Sequence, residues 1–523
     1  MPTSLHTDVL LVGAGPTGLS LACQFLRHGV DFILIDKGEG ITPYSKAIGV
    51  QARTLEIYEQ IGLAKSLIEK GNIAEKAQLL EDGKVRGEVA LATVGQGQSP
   101  YPFLLLVEQS QHEQLLYTFL KQQGKSVQWK TSLDQFSQTS EGVTAHVTTP
   151  TGDQQTITAK YLVGCDGAKS VVRHTLGLSF AGSTLERLFY VADVHINWPL
   201  DHNSVRICLA KATLTAFFPL PGENRYRIVG TFPENDQQAE GTVLYEAIER
   251  QIKADTKLAL DITQVNWFST YKVHSRRVSA FSDGRCFVAG DAAHIHTPAG
   301  GQGMNTGIQD GYNLAWKLAF VLNHQADDRL LSTYNEERSA NAKHLLETTD
   351  RMFDFGASPD WFLANLRTYV IPYVAHVLLG LDVVKKAVFP LISQIGINYR
   401  SSSLSESGIH PFSKVQAGDR MPYALIDGES IYNGLRYPKF HLLVFGDAAE
   451  NDPDKLHAFV DRNQSILDIH HYPLSPTIQS LFAIEGNFSV LLRPDNYIAL
   501  LDRSLSATQL KRYLRKTIGC AIN

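Results

Sequence analysis

The sequence predicts an α/β chain in which a doubly wound, dinucleotide-binding unit is interrupted by a second, sheet-rich unit and followed by a third. Three observations carry the prediction. Between residues 8 and 36 a strand, a GxGxxG turn, a helix, a second strand and an acid follow one another. From 182 to about 271 the pattern is strand-rich and aromatic, as a sheet demands. Beyond a polar, serine-rich stretch at 401–407, which reads as a linker, strand and helix patterns resume. At 523 residues the chain is also longer than one hydrophobic core supports.

Residues 8–12 form an apolar strand that runs into Gly13-Ala14-Gly15-Pro16-Thr17-Gly18. Gly13 serves the tight turn, Gly15 the close approach of a pyrophosphate, and Gly18 the packing of helix on strand. The helix carries Leu19, Ala22, Cys23 and Leu26 on one face and ends at Gly29. A strand at 32–35 then closes on Asp36, which would hold an adenosine ribose. A carboxylate there repels a 2′-phosphate, so the fingerprint fits FAD or NAD better than NADP. Residues 45–53 precede a helix with Leu55, Tyr58 and Ile61, and Lys46 and Arg53 are candidates for neutralising phosphates. Asp82-Gly83 turns a hairpin over 77–90, the first visit to the second unit. Gln109 and Ser110 open a helix with Leu115, Leu116, Phe119 and Leu120. A hairpin at 143–147 and 155–158 precedes a strand at 159–164 that leads to Asp166 and Gly167. Within the sheet-rich region a helix near 243–252 intervenes, and Phe217 and Phe218 are candidates for an aromatic pocket, although each alone also reads as a core residue.

The densest signal spans 285–305. An apolar run ends on Gly290-Asp291, a Pro- and Gly-rich loop follows, and a helix begins at Met304 with Ile308, Leu314, Ala315, Leu318 and Val321. A strand-end carboxylate accepts hydrogen bonds from hydroxyls, and unpaired N–H groups at a helix start attract an anion. Together they suit a polyol beside an electron-accepting ring. The same residues also read as a plain strand-loop-helix corner whose Asp caps the helix. Helix continues through Tyr334 and Arg338 to about 354, after which 439–445 and 488–492 read as strands and 454–460 and 507–514 as helices.

Composition narrows the function classes. With 44% hydrophobic and 19% charged residues this is a soluble globular type, and a net charge of -5 without a Lys/Arg cluster argues against nucleic acid. Cys23, Cys165, Cys208, Cys286 and Cys520 lack CxxC or metal-ligand spacing, so reduced thiols in a cytoplasmic protein and no metal are expected. The N-terminal apolar run is too short for a signal sequence. The apolar stretch 369–397 is broken by Pro372, Asp382, Lys385 and Lys386, which argues for packed helices and against a membrane span.

Taken together, Gly13 to Gly18, Cys165-Asp166-Gly167-Ala168-Lys169-Ser170 and Gly290-Asp291-Ala292-Ala293-His294, with 298–305, resemble the group A FAD-dependent aromatic hydroxylases of the para-hydroxybenzoate hydroxylase type. The resemblance covers roughly residues 5–345. It implies a Rossmann-like FAD-binding domain with a helical extension (1–76, 104–180 and 275–400) and an inserted β-sheet substrate domain (77–103 and 181–274). A C-terminal thioredoxin-like domain without CxxC (408–523), structural or homodimer-forming, completes it. By the same resemblance Asp291 would hold the ribityl chain, Gly301, Gly303, Met304 and Asn305 would offer backbone N–H groups to the flavin, and Lys46 and Gln109 would lie near the phosphates and ribityl. Asp166 would serve both FAD and the nicotinamide cofactor, while Ile48, Phe217, Phe218 and Pro298 would border the substrate. Lys46 and Lys169 stand where the family more often has arginine, keeping charge but losing bidentate geometry.

The implied activity is hydroxylation of a phenolic or polycyclic aromatic compound with O2 and NADPH or NADH, through a flavin C4a-hydroperoxide. Residues 47–50 carry no acid, so no catalytic base is assigned. Three alternatives remain open at this stage: inactivation of an antibiotic on the same scaffold, a non-catalytic flavin-binding protein, and an NAD dehydrogenase, which would leave Asp291 and its glycine loop without a task.

Overall fold

The computed structural model describes residues 4–43, 47–210, 213–233, 243–297, 301–324, 326–357, 382–408, 413–446, 453–519 and 522. Its first sheet is built on Ser4–Val12, whose last four residues are buried and apolar because helices cover both faces. Phe32–Ile35 lies parallel on one side, Gln154–Gly164 parallel on the other, and Cys286–Val288 parallel beyond that. The register sets Val12 opposite both Ile35 and Gly164, and Gly164 opposite Val288. The loops carrying Gly13, Asp36, Asp166 and Asp291 therefore all leave from one carboxyl edge, the place where open α/β sheets bind ligands. The separately expected hairpin strand and following strand at 155–164 are one continuous strand, because its first half pairs antiparallel with Val143–Thr148 while residues 156–164 pair with Ser4–Val12 across both expected segments.

Among the described residues the second sheet has eight strands, running in space from His294–Ile295 through Asp261–Val278, Phe180–Asn197, Arg225–Thr231, Leu214–Pro219 and Ser204–Leu209 to the hairpin Lys76–Glu81 and Lys84–Ala90. That hairpin turns where expected: Asp82 and Gly83 have φ of 49° and 73°, the left-handed pair that a two-residue turn needs. The helix Tyr245–Thr256, a few residues beyond its expected place, buries Ile248 and Ile252 against Tyr190, Val194, Phe217 and Ile228 on one face of the sheet. The other face turns toward the first unit.

The third sheet is mixed: Phe440–Phe445 pairs parallel with Leu467–Tyr472 and antiparallel with Phe488–Leu492, which pairs with Ile498–Asp502. One face shares a core with Trp316, Phe320 and Leu330 from helices of the first unit. Residues 401–407 are not the linker expected from their composition. Leu404 is buried in that core, Ser402 Oγ donates to Glu337 Oε1 at 2.7 Å, and Glu406–Ser407 joins the third sheet beside Ile498–Asp502. Serine is common in loops because its hydroxyl competes for backbone partners, but here the hydroxyl serves a buried carboxylate. Residues 369–381 lie outside the described residues; Asp382–Ile392 is helical, and no helix among the described residues is long and apolar enough to cross a membrane.

Candidate functional site at the carboxyl edge

The three fingerprint glycines meet three different surroundings. A Cβ on Gly13, at φ +102°, would lie 2.4 Å from the Cys165 carbonyl oxygen, and one on Gly18 would lie 1.9 Å from that of Gly13. A Cβ on Gly15 would meet nothing within 4 Å, so the space before it is open. Gly15 starts the helix Pro16–Arg27, which has neither a side-chain cap nor an acid in its first turn. Its unpaired N–H groups thus face the open space, which fits a pyrophosphate. Asp36 aims its carboxylate at this turn: Oδ2 accepts from Ala14 N and Oδ1 from Gly38 N, both at 2.6 Å. Remaining lone pairs on both oxygens could accept from ribose hydroxyls. Sequence reasoning missed Glu113, a buried carboxyl one helical turn from Gln109 whose Nε2 donates to it at 2.8 Å. Burial, with a further push from Asp36, raises its pKa to about 7 against the Gln109 bond. The i, i+4 spacing of Gln109 and Glu113 was the available signal.

Asp291 occupies an exposed position in the short 3-10 turn Gly290–Ala292, not on the strand itself, which ends at Val288. The turn is held from behind: Gly290 N donates to Asp310 Oδ2 at 2.9 Å, His294 Nε2 meets the same oxygen at 2.7 Å, and Arg338 Nε donates to Oδ1 at 2.6 Å. Burial pushes the Asp310 carboxyl up, but Arg338 and His294 outweigh it and hold the group below its usual range. Asp166 Oδ2 accepts from Val172 N at 3.2 Å, whereas its Oδ1, with Thr297 Oγ1 and His294 Nδ1, is buried without a partner among the described residues. Orphaned buried polar atoms are costly, so this edge is shaped for a further polar group.

The helix Gly303–Asn323 likewise starts without a side-chain cap or an acid, after Gly301 at φ +62° with open space before it. Asn305, expected at the cofactor, has its side chain fully engaged within the protein. Its Nδ2 donates to Gly49 O at 2.9 Å and Gly301 O at 3.0 Å, while Oδ1 accepts from Gln51 N and Thr54 Oγ1. Only backbone groups of Gly301, Gly303, Met304 and Asn305 could therefore face a ligand, and Met304 Sδ lies 3.4 Å from His112 Nδ1. Gln109 is bonded twice to Ala47, its Oε1 and its N–H both at 3.1 Å, which fixes the segment after Lys46. Lys46 and Pro298 lie outside the described residues. Arg53 serves no phosphate: it is buried, donating to Glu56 at 3.2 Å and to Asp495 O at 2.9 Å.

Across from this edge lies the open face of the second sheet. Ile48 and Phe218 share one apolar cluster with Leu104, Leu106, Val205 and Leu220. Phe217 does not join them. Successive strand residues face opposite ways, and Phe217 is buried against Trp198, ring centroids 5.1 Å apart, under the helix on the far side. On the near face Arg227 pairs with Asp193 through two bonds of 2.6 Å, Trp267 Nε1 donates to Asp193 at 2.9 Å, and Arg227 reaches Ala47 O at 3.4 Å. Tyr271, its hydroxyl pushed up to about 12 by burial, stacks on Phe189 at 5.8 Å. A cavity of about 670 Å³ lined by Tyr161, Arg285 and Asp328 lies elsewhere and includes no residue of this edge.

Comparisons with known proteins agree with this geometry. Residues 6–349 match the FAD binding domain family. A flavin-dependent monooxygenase of Mycobacteroides abscessus is 32% identical over 510 residues, 95% of this chain and 97% of the relative. The 6-methylpretetramide 4-monooxygenase of Streptomyces rimosus is 30% identical over 98% of this chain and 94% of its own. Among solved structures, the anhydrotetracycline hydroxylase of Streptomyces rimosus superposes with a TM-score of 0.76 at 28% identity, covering 98% of this chain and 99% of that one. With the family matched over residues 6–349 and a relative aligned nearly end to end, the chain belongs to the FAD binding domain family and is a flavin-dependent monooxygenase of the aromatic hydroxylase kind.

Proposed function

We propose that the chain hydroxylates a phenolic or polycyclic aromatic compound, using NADPH or NADH and O2, in the cytoplasm. The observation that carries this reading is the juxtaposition of two uncapped helix starts and three acid-bearing loops at one sheet edge with an apolar, aromatic sheet face opposite. Bound FAD would supply the electron transfer to O2 and the oxygen atom delivered to the substrate. The residues present bind, orient and exclude water. The Pro16–Arg27 helix start and Gly15 would take the pyrophosphate, Asp36 the ribose, Asp291 and Gln109 the ribityl region, and Asp166 the adjoining edge. The Gly303–Asn323 helix start would favour negative charge on the reduced ring. Ile48, Phe218, Phe189 and Tyr271 would border the substrate, and the buried Arg227–Asp193 pair would hold that wall to Ala47. Two relatives whose names give 6-methylpretetramide and anhydrotetracycline as substrates support a polycyclic compound over a single ring. Parallel strands joined by a helix, then an antiparallel hairpin, support a thioredoxin-like third unit.

The test is the visible spectrum of the purified protein, followed by NADPH and NADH oxidation with and without a panel of phenols and polyketide-like aromatics. Flavin absorbance with substrate-stimulated oxidation and a hydroxylated product is expected. A flavin-loaded protein that no aromatic stimulates would favour the non-catalytic reading, and oxidation of an antibiotic alone would favour the inactivating one.

A further inference from the structure

A second cluster of chemistry-bearing side chains lies far from the carboxyl edge, on the third sheet. Phe440–Phe445 and Leu467–Tyr472 pair in parallel with His441 opposite Asp468, and His470 stands two residues further along the same face. His441 Nδ1 is 2.7 Å and His470 Nε2 3.1 Å from the same Asp468 oxygen, and the three ligand atoms lie within 4.8 Å of one another. The sequence hid the cluster because 27 residues separate His441 from Asp468.

Proton bookkeeping at His441 is the informative feature. Its other nitrogen, Nε2, lies 3.1 Å from the Tyr437 carbonyl oxygen, so both of its partners are acceptors. A neutral imidazole has one N–H to give. One contact then sets two lone pairs against each other unless the ring is charged or a cation lies between. The ring is wholly buried, which disfavours charging it. A carbonyl holding Nε2–H while Nδ1 faces outward is how proteins orient a metal-binding histidine. Two ligand atoms each about 2.1 Å from one ion stand about 3.4 Å apart at the tetrahedral angle, so the 2.7 and 3.1 Å contacts to Asp468 need open by only a few tenths of an ångström to admit one. The side chains of Asp468 and His470 are each 24% exposed, which gives an ion an entry path and a place for water.

We propose that His441 Nδ1, Asp468 and His470 Nε2 bind a divalent first-row cation that staples the strand Leu467–Tyr472, at the edge of the sheet among the described residues, to its neighbour Phe440–Phe445. Zinc is the probe. Full-length, flavin-loaded protein is stripped with a chelator, dialysed against zinc, desalted and assayed for bound metal and for unfolding temperature with and without zinc. Retention of about one zinc per chain and a zinc-dependent rise in unfolding temperature are expected, with both lost in Asp468→Asn and His470→Ala. Flavin content and NADPH oxidation should not change in either variant, since neither residue lies at the carboxyl edge. Failure of the unaltered chain to retain zinc overturns the proposal, and so does equal retention by the variants, which would locate the metal elsewhere. A variant that lowers the unfolding temperature equally with and without zinc also overturns it, leaving an imidazolium–carboxylate pair. His470→Ala, at a part-exposed position, decides the matter if Asp468→Asn does not fold.

Discussion

Gly13 and Gly15 are two residues apart in one motif, yet substituting them should do opposite things. Alanine at Gly13 meets a carbonyl at 2.4 Å in a left-handed backbone, which should cost about 1–3 kcal/mol or more of stability with or without FAD. Alanine at Gly15 has an ordinary φ of -75° and open space, so the flavin-free protein should be unchanged or stabilised by about 0.4–1 kcal/mol. Its FAD affinity should nonetheless fall about tenfold or more, because the methyl occupies the space left for the pyrophosphate. Denaturant titration of the flavin-free proteins and fluorescence titration with FAD separate the two effects. His112 makes a second prediction at this scale. It is fully buried between Tyr58 OH, at 2.6 Å, and Met304 Sδ, and burial lowers its pKa to about 3. The unfolded chain takes a proton near pH 6.5 that the folded chain refuses. The histidine's contribution is therefore complete above pH 6.5 and is lost as pH falls toward 3, at up to about 1.4 kcal/mol per pH unit. Glu113, raised to about 7, works in the opposite direction between about 4.5 and 7. The comparison that isolates His112 is thus the difference in stability between the unaltered chain and His112→Gln, which should shrink steadily below pH 6.5. A pH-independent difference would show that His112 takes up its proton in the fold as readily as in the unfolded chain.

Elements were more legible than the contacts between them. The fingerprint strand, helix and acid, the Asp82-Gly83 hairpin and the 285–305 strand-loop-helix are local patterns, and local patterns can be read from spacing. Phe217 and Phe218 show the limit: alternation says that they face opposite ways, but not which face looks toward the site. Asp310 shows it again. It was not singled out from the sequence; it sits with Asn305, Gln309, Asn313 and Lys317 on an otherwise apolar buried helix, and its partners His294 and Arg338 come from other segments. The helix start is where this matters most, because Asn305 ties it to the 49–54 segment through three side-chain hydrogen bonds and to Gly301 through a fourth. Asn305→Ala should leave buried donors and acceptors unpaired at about 1–3 kcal/mol each, partly recovered by relaxation. The expected outcome is release of flavin, followed by its fluorescence on heating, at a lower temperature than the onset of global unfolding seen by far-UV dichroism. Coincident, unshifted transitions would mean that the two segments hold each other without Asn305.

At the scale of the molecule, the third unit is not an appendage, and the reason is a charge network that no window of sequence displays. Glu337 accepts from Lys317 at 2.8 Å, from Arg493 at 2.5 and 3.2 Å and from Ser402, and Arg493 also pairs with Asp495, which accepts from Trp316 at 3.1 Å. Lys317, Glu337 and Arg493 are all fully buried. Burial lowers the Lys317 amine to about 8 despite the neighbouring carboxylate, and burial's upward push on Glu337 is outweighed by Arg493 and Lys317. Glu337 is thus an anion shared by two cations from different units, Lys317 and Arg493, of which Arg493 also pairs with Asp495. Replacing such a group strands the charges it paired, at a cost of roughly 3–5 kcal/mol, whereas an exposed pair such as Arg400–Asp419 contributes about 1 kcal/mol or less. Glu337→Gln keeps the shape and one acceptor, so the loss reports charge rather than volume. Because the same face carries the apolar core shared by Trp316, Phe320 and Phe440, the unaltered chain should unfold in one calorimetric transition. In Glu337→Gln the transition should split, the third unit melting first, with flavin retained through the earlier step. A single transition in the variant, shifted but undivided, would show that the apolar core alone couples the units and that the buried charges only set their register.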